Sequence, residues 1–337
     1  MTARIRVGLV GAGMVSGFHL PGWRALGEAI ELVAIADPDL AKAQARADEF
    51  GISQVYPNLQ SMLDACRLNA VDIMTPPSTH AVNCEMAADA GVAILCQKPL
   101  APSWATADAL IQRLAGRTRL MVHQNWRFRP HYRLIHQWLN EGCIGNLVHG
   151  EIDTRSSGLL PDKTGRIPSL VRQPMLATLP RLMISEVLVH YLDIALWLAG
   201  DQVVTSARLR HDVAQITGES AACITLNTTR QQTIVIAGDM ADPKAPPALR
   251  DRVKLVGEKG QIELSGSTLR LLTSKPVTHE FDFDSDYSKS YAAAIAHFVH
   301  SVQTGQDFET PPHWHLRVLK LAEDAYRLSE LQQKDSD

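Results

Sequence analysis

The chain has 337 residues, room for two domains, and 45 % hydrophobic with 20 % charged residues is the composition of a globular protein that buries its own cores. A net charge of −3 offers nothing to nucleic acid, and no run of about 18 apolar residues is present to span a membrane. The five cysteines (Cys66, Cys84, Cys96, Cys143, Cys223) are scattered without metal-ligand spacing and read as buried thiols of a reducing compartment. With the first strand expected from about Ile5, no signal peptide is expected, and a cytoplasmic protein is.

Residues 4–37 read as strand, glycine turn, helix, strand, acid. The apolar run Ile5–Val10 breaks at Gly11-Ala12-Gly13, an amphipathic segment follows, and a second apolar run ends at Asp37. Gly11 suits a tight turn, and Gly13 lets backbone approach a pyrophosphate. The helix opening through Met14 and Val15 offers unpaired N–H groups to it. Ser16 stands where a third glycine is usual, and is small enough to keep the packing close. Asp37 falls where a carboxylate would hold the adenosine ribose, although Pro38 and Asp39 behind it also suit a turn. A carboxylate repels a 2′-phosphate, so NAD is expected rather than NADP.

Helices and apolar strands then alternate to about His123, which predicts a doubly wound parallel sheet over residues 1–123. Ligands bind beyond the carboxyl ends of such strands. That selects Thr75-Pro76-Pro77 with His80, and Gln97-Lys98-Pro99. Ser78 or Thr79 is expected to cap the helix after the prolines. The prolines read as a wall beneath the cofactor or as a plain turn. Lys98, directly after a buried strand, reads as the polariser of a hydroxyl or as a snorkelling surface lysine.

After His123 the pattern changes. A helix near His131–Glu141 precedes a strand near Leu147–Ser156. Six more strands follow, at about 203–211, 220–227, 233–238, 251–256, 260–264 and 268–272, joined by short turns. A mostly antiparallel open sheet is expected in a second α/β domain, 124–337, closed by helices near Ser290–Thr304 and His313–Gln332. Residues 241–247 and 163–180 read as loops.

In the run from Ser185 to Trp197, Glu186, His190 and Asp193 stand at i, i+4 and i+7 and would share one helical face. Carboxylates and a histidine on an otherwise apolar helix suggest a cleft. A buried, satisfied histidine is the plain alternative. Glu186 and His190 could also present two metal ligands, but no third is evident, and no metal is expected.

Gly11-Ala12-Gly13-Met14-Val15-Ser16-Gly17-Phe18-His19, Gln97-Lys98-Pro99, Arg127-Phe128-Arg129-Pro130 and His190-Tyr191-Leu192-Asp193 occur in an order that resembles the glucose–fructose oxidoreductase / inositol dehydrogenase / rhizopine catabolism protein family. The likeness covers nearly the whole chain. It implies a Rossmann domain, a second domain whose open sheet makes a homodimer or homotetramer, a nicotinamide cofactor, and oxidation of sugars or cyclitols. It maps the family's E-K-P lysine to Lys98, and its D-x-x-x-H pair to Glu186 and His190. Gln97 replaces the usual glutamate and Glu186 the usual aspartate.

The expected reaction is hydride transfer from a sugar carbinol, an aldose C1 giving a lactone, with His190 as base, Lys98 on the developing alkoxide and Glu186 tuning His190. Trp126, Arg127, Arg155 and Asp193 join Lys98, Glu186 and His190 as candidate substrate contacts. Residues 154–181 carry Arg155, Lys163, Arg166, Arg172 and Arg181 against Asp162 alone. That stretch is either a solvated surface or a reader of a carboxylated sugar. An NAD-dependent glycoside hydrolase and a non-catalytic cofactor-binding regulator are the competing readings.

Overall fold

A computed structural model describes residues 4–334. Six strands, β1 (Ile5–Val10), β2 (Ile30–Ala36), β3 (Gln54–Tyr56), β4 (Ala70–Ile73), β5 (Ala93–Gln97) and β6 (Leu120–His123), form one parallel sheet in the order β3-β2-β1-β4-β5-β6. The order reverses between β1 and β4, so their carboxyl ends part to leave the crevice where such sheets bind ligands.

Local signals set the helices around it. Asp39 caps Leu40–Phe50 through the Lys42 N–H, and left-handed Gly51 ends that helix. Ser103 and Thr106 exchange side-chain and backbone bonds as a capping box for Trp104–Leu114. The cap expected from Ser78 or Thr79 does not form. The helix starts at Pro77 with Pro76 ahead of it, because a proline ring fits the first helical position, whose N–H has no partner to lose. Thr79 instead bonds Thr75 and the Pro76 carbonyl.

The second sheet has eight strands: β7 (Leu147–Arg155), β8 (Gln202–Arg210), β9 (Ala221–Thr228), β10 (Thr233–Asp239), β11 (Arg250–Gly257), β12 (Gly260–Ser265), β13 (Thr268–Leu272) and β14 (Val277–Glu280). Their order is β14-β13-β12-β11-β7-β10-β9-β8, and only β7 and β10 run parallel. One face is buried through Ile152, Ile224, Ile234, Val253 and Leu264. The other shows Glu151, Arg208, Arg252, Lys254 and Arg270. The alternation is that of an antiparallel sheet covered on one side. Cys223 lies exposed on the open side and Cys143 is half-buried, so only Cys66, Cys84 and Cys96 are the buried thiols expected of all five.

The strand β14 lies outside the strands expected from the sequence: Lys275 and Pro276 precede a stretch with all four residues exposed, so no apolar alternation marks it. Residues 163–180 are not all loop: they hold a short helix, Pro168–Arg172, and a 3-10 turn, Pro174–Ala177.

The chain packs as two compact units. One runs to Arg129 and takes back Asp284–Arg317; the other is Pro130–Phe283 with the chain from Val318. A single cut after His123 does not describe this. The helix Phe283–Thr304, expected only from Ser290, sends Ala294, Ile295, Phe298 and Val299 into the core that Ile5, Val7, Leu9 and Trp23 build on one face of the parallel sheet. Burial of those side chains holds it to the first unit. No helix among the described residues is long and apolar enough to cross a membrane.

Candidate active site

The first unit gathers its polar groups at the carboxyl edge of the parallel sheet. Gly11 sits at φ 105°, and a Cβ there would lie 2.8 Å from the Met74 carbonyl oxygen, so only glycine lets the β1 turn pass the end of β4. At Gly13 a Cβ would meet nothing within 4 Å, which leaves backbone bare to an approaching ligand. Met14 is exposed and Val15 half-buried at the start of the helix Ser16–Arg24. Ser16 is buried, and its hydroxyl donates to the Gly13 carbonyl at 2.7 Å, so it ties the turn where a third glycine would only pack.

Asp37 crosses from β2 to accept the Ala12 N–H at 2.7 Å, and its other oxygen accepts the Asp39 N–H at 2.8 Å. Each oxygen keeps a second lone pair for a hydroxyl. The turn with a bare glycine backbone, and the acid beside it, fit a dinucleotide: Gly11–Ser16 for its phosphates, Asp37 for its ribose.

Across the crevice, Thr75, Pro76 and Pro77 follow β4, and Gln97 ends β5 with Lys98 directly after it. The backbone around half-buried Lys98 is held at three points. Its own N–H donates to Gln97 Oε1 at 3.0 Å, the Pro99 carbonyl bonds His80 Nδ1 at 2.9 Å, and the Leu100 N–H donates to His315 Nε2 at 3.3 Å. His80 Nε2 also bonds the Thr75 carbonyl at 2.7 Å. His80 is buried, so it ties the two loops together and is no surface for a cofactor. Burial, aided by the charge of Lys98, lowers the pKa of His80, against the two carbonyls that bond its ring, and brings that of His315 down to about 3, so the His315 ring sits neutral beside the lysine.

Trp126 and Arg127 form a 3-10 turn, Trp126–Phe128. Trp126 packs edge-on against Tyr287 and under Arg129. Arg127 is buried, donates to the Glu309 carbonyl at 2.9 Å and lies over Trp314. These contacts make Arg127 an anchor of the turn.

In the second unit the His190 segment is not one α-helix. Met183–Leu188 is a π-turn, and the α-helix runs Val189–Ala199. His190 and Asp193 are buried within the α-helix, three residues apart on one face. Glu186 is half-buried in the π-turn, so its four-residue step to His190 crosses a wider turn and does not have the α-helical angle the spacing assumed.

Two side chains distant in sequence fix this segment. Glu219, buried, accepts the Leu182 and Ile184 N–H groups at 3.1 and 3.0 Å and the Tyr326 hydroxyl at 2.6 Å. Tyr191, beside His190, donates to Asp251 on β11 at 2.5 Å, and its hydroxyl lies 3.0 Å from that of Thr154 on β7. A Cβ on Gly238 would overlap the Met183 methyl, so β10 needs a glycine to let the turn pack.

Arg155 is one residue beyond Thr154 on β7 and therefore points to the other face of the sheet. It pairs there with Asp153 at 2.7 Å and Asp239 at 3.8 Å. The strand's alternation thus takes it away from the helix that carries His190, against the expectation of a substrate contact. Arg181 pairs with Glu323 at 2.9 Å.

The pattern missed His19, Asp72, His123 and Glu219. Asp72 had a visible signal, an acid in the middle of the apolar strand β4. Among the described residues, no three His, Cys, Asp or Glu side chains are grouped to hold a metal ion.

Comparison with known proteins gives this edge its context. Residues 5–124 match the oxidoreductase family with an NAD-binding Rossmann fold, and residues 132–263 match the GFO/IDH/MocA C-terminal domain. The chain is 34 % identical over 265 residues to a D-apiose dehydrogenase of Paraburkholderia graminis, covering 78 % of this chain and 68 % of the relative. It is 26 % identical over 337 residues to an inositol 2-dehydrogenase of Rhizobium meliloti, covering 96 % of each. It superposes on an oxidoreductase from Agrobacterium radiobacter, solved with NAD+, L-tartaric acid and magnesium, with a TM-score of 0.89 and 25 % identity over 97 % of each chain. The glycine turn, the two sheets and these matches together establish the protein as an NAD-binding oxidoreductase of the GFO/IDH/MocA family.

Proposed function

We propose that the enzyme oxidises one hydroxyl of a small neutral sugar or a cyclitol, an aldose C1 being taken to the lactone. The observation that carries the reading is Lys98, fixed at three backbone points on the same sheet edge as the glycine turn. A cation held there serves an oxygen that gains negative charge as the reaction proceeds. Bound NAD would supply the acceptor for the hydride of the carbinol C–H. Lys98 donates a hydrogen bond to the alcohol oxygen, His190 accepts the hydroxyl proton, and Glu186 tunes His190. The proton then passes to water, leaving lactone or ketone, NADH and one proton.

Arg155 is engaged by two carboxylates on the open sheet face and Arg181 by Glu323, so these two arginines give little support to a carboxylated substrate. Relatives named D-apiose dehydrogenase favour a branched aldopentose among the aldoses. We assign self-association into a dimer or tetramer to the open sheet face, whose exposed charges of both signs can meet a second copy, and we keep the cytoplasm as location.

The test is NADH formation across a panel of aldoses (D-apiose included), cyclitols and sugar acids. Stoichiometric NADH from a neutral aldose or cyclitol is expected. NADH from sugar acids alone would contradict the substrate class. Cleavage of nitrophenyl glycosides at catalytic NAD, with no net NADH, would contradict the reaction.

A further inference from the structure

Beneath Lys98 a chain of polar side chains runs inward, all within the first unit. The Lys98 N–H donates to Gln97 Oε1 at 3.0 Å, which fixes the amide with its carbonyl toward the loop and its NH2 inward. That NH2 meets His19 Nε2 at 2.6 Å and His123 Nδ1 at 3.4 Å, so both ring nitrogens are acceptors. His19 therefore carries its proton on Nδ1, which donates to Asp72 Oδ2 at 2.7 Å, and the Trp23 indole donates to the same oxygen at 2.6 Å. Gln97 is 8 % exposed, and His19, Asp72 and His123 not at all. The other groups facing His19 are the Tyr291 ring at 5.2 Å and the His123 ring at 4.3 Å. The Cys96 thiol lies close enough to Asp72 to feel its charge.

The direction of each bond follows from the one before it. The run of bonds from the Lys98 N–H to Asp72 forms only while residue 97 offers both an NH2 and a carbonyl. A carboxylate at 97, the residue usual in the family, would face His19 from the side opposite Asp72. The ring would then need a second proton to serve both acids.

We infer that Gln97 is a positioning residue for Lys98 and not a cofactor contact: its amide, oriented through His19 by Asp72, sets the lysine's backbone and keeps His19 in its single-proton form. This rests on the reading of Lys98 as the group that polarises the substrate hydroxyl. A buried chain whose bond directions are set one by another has little freedom, which is what a catalytic lysine on a loop requires.

The test uses kcat, KM and NAD affinity for wild type, Gln97→Leu, Gln97→Glu and Lys98→Met, with the sugar that gives the fastest NADH formation in the panel. Gln97→Leu should lower kcat roughly 10- to 100-fold, the scale of a misplaced catalytic group, with NAD affinity unchanged. Gln97→Glu is isosteric and should fold even if the leucine variant does not. It should work when His19 is doubly protonated and lose kcat as pH rises through an added ionisation absent from wild type. A Gln97→Glu profile that superimposes on wild type would overturn the inference. So would a loss of NAD affinity with kcat intact in either variant. Wild-type kcat in Lys98→Met would instead remove the reading of Lys98, independently of Gln97.

Discussion

Residues 11–16 and residues 183–193 are both short stretches, yet they are specified in opposite ways. The first is a backbone device. Gly11 must be glycine because the Met74 carbonyl fills the space of a side chain, and Gly13 presents bare backbone. What it does follows from residue types a few places apart. The second is a side-chain device whose backbone is dictated from elsewhere. The π-turn exists where Glu219 receives the N–H groups of Leu182, just before it, and Ile184, within it, Gly238 makes room and Tyr191 is tied to Asp251. Cofactor binding can be carried by local geometry; placing a proton acceptor takes a built surround.

If that division holds, the largest effect belongs to the second stretch. His190→Ala should lower kcat by about 10²–10⁴, the usual worth of a general base, with NAD affinity as in wild type. Steady-state NADH formation and an NAD titration check it, and wild-type turnover would remove His190 from the chemistry.

Glu219→Ala should be milder. It strands two buried N–H groups, for a loss of about 1–3 kcal/mol in urea unfolding, and loosens the turn, for a drop in kcat of about ten-fold. Glu219→Gln keeps one acceptor oxygen and should recover most of both. Full activity in the alanine variant would mean the π-turn does not need its anchor.

The smallest effect sharpens the other side of the comparison. His315 has its pKa drawn down to about 3, chiefly by burial, while the unfolded ring titrates near ~6.5. Between those values the unfolded chain binds a proton the folded one refuses, so stability falls as pH drops from ~6.5 toward 3, by up to about 1.4 kcal/mol per pH unit. Buried His80 and His123, whose pKa values are also lowered, add to the slope. His315→Gln retains an acceptor for the Leu100 N–H and should flatten the slope by about one proton. An unchanged slope in urea unfolding between mildly acidic and neutral pH would refute the assignment.

The same contrast explains what could be read from the chain. Leu40–Phe50, Ile5–Val10 and Gln54–Tyr56 have the expected bounds, because the first lies between Asp39 and Gly51, the second stops at Gly11 and the third at Pro57. The residues that escaped are held across long separations. Glu219 bonds Leu182 and Tyr326, His19 bonds Asp72, and Phe298 packs in the core with Leu9. None of these leaves a periodic trace. Nearness of Arg155 to the His190 segment in sequence says nothing of which sheet face it takes; it pairs with Asp153.

One pair of variants tests the division most directly. Gly13→Ala adds a methyl where nothing of the protein lies within 4 Å, so the fold should be untouched while the bare backbone is covered. NAD dissociation constants and kcat at saturating NAD, measured for Gly13→Ala and His190→Ala side by side, should cross. The glycine variant should bind NAD roughly ten-fold more weakly, equivalent to about 1.4 kcal/mol, and keep its kcat. The histidine variant should keep its NAD affinity and lose its kcat. If both variants lost the same parameter, cofactor binding and proton acceptance would not be divided between these two stretches, and the account would be wrong.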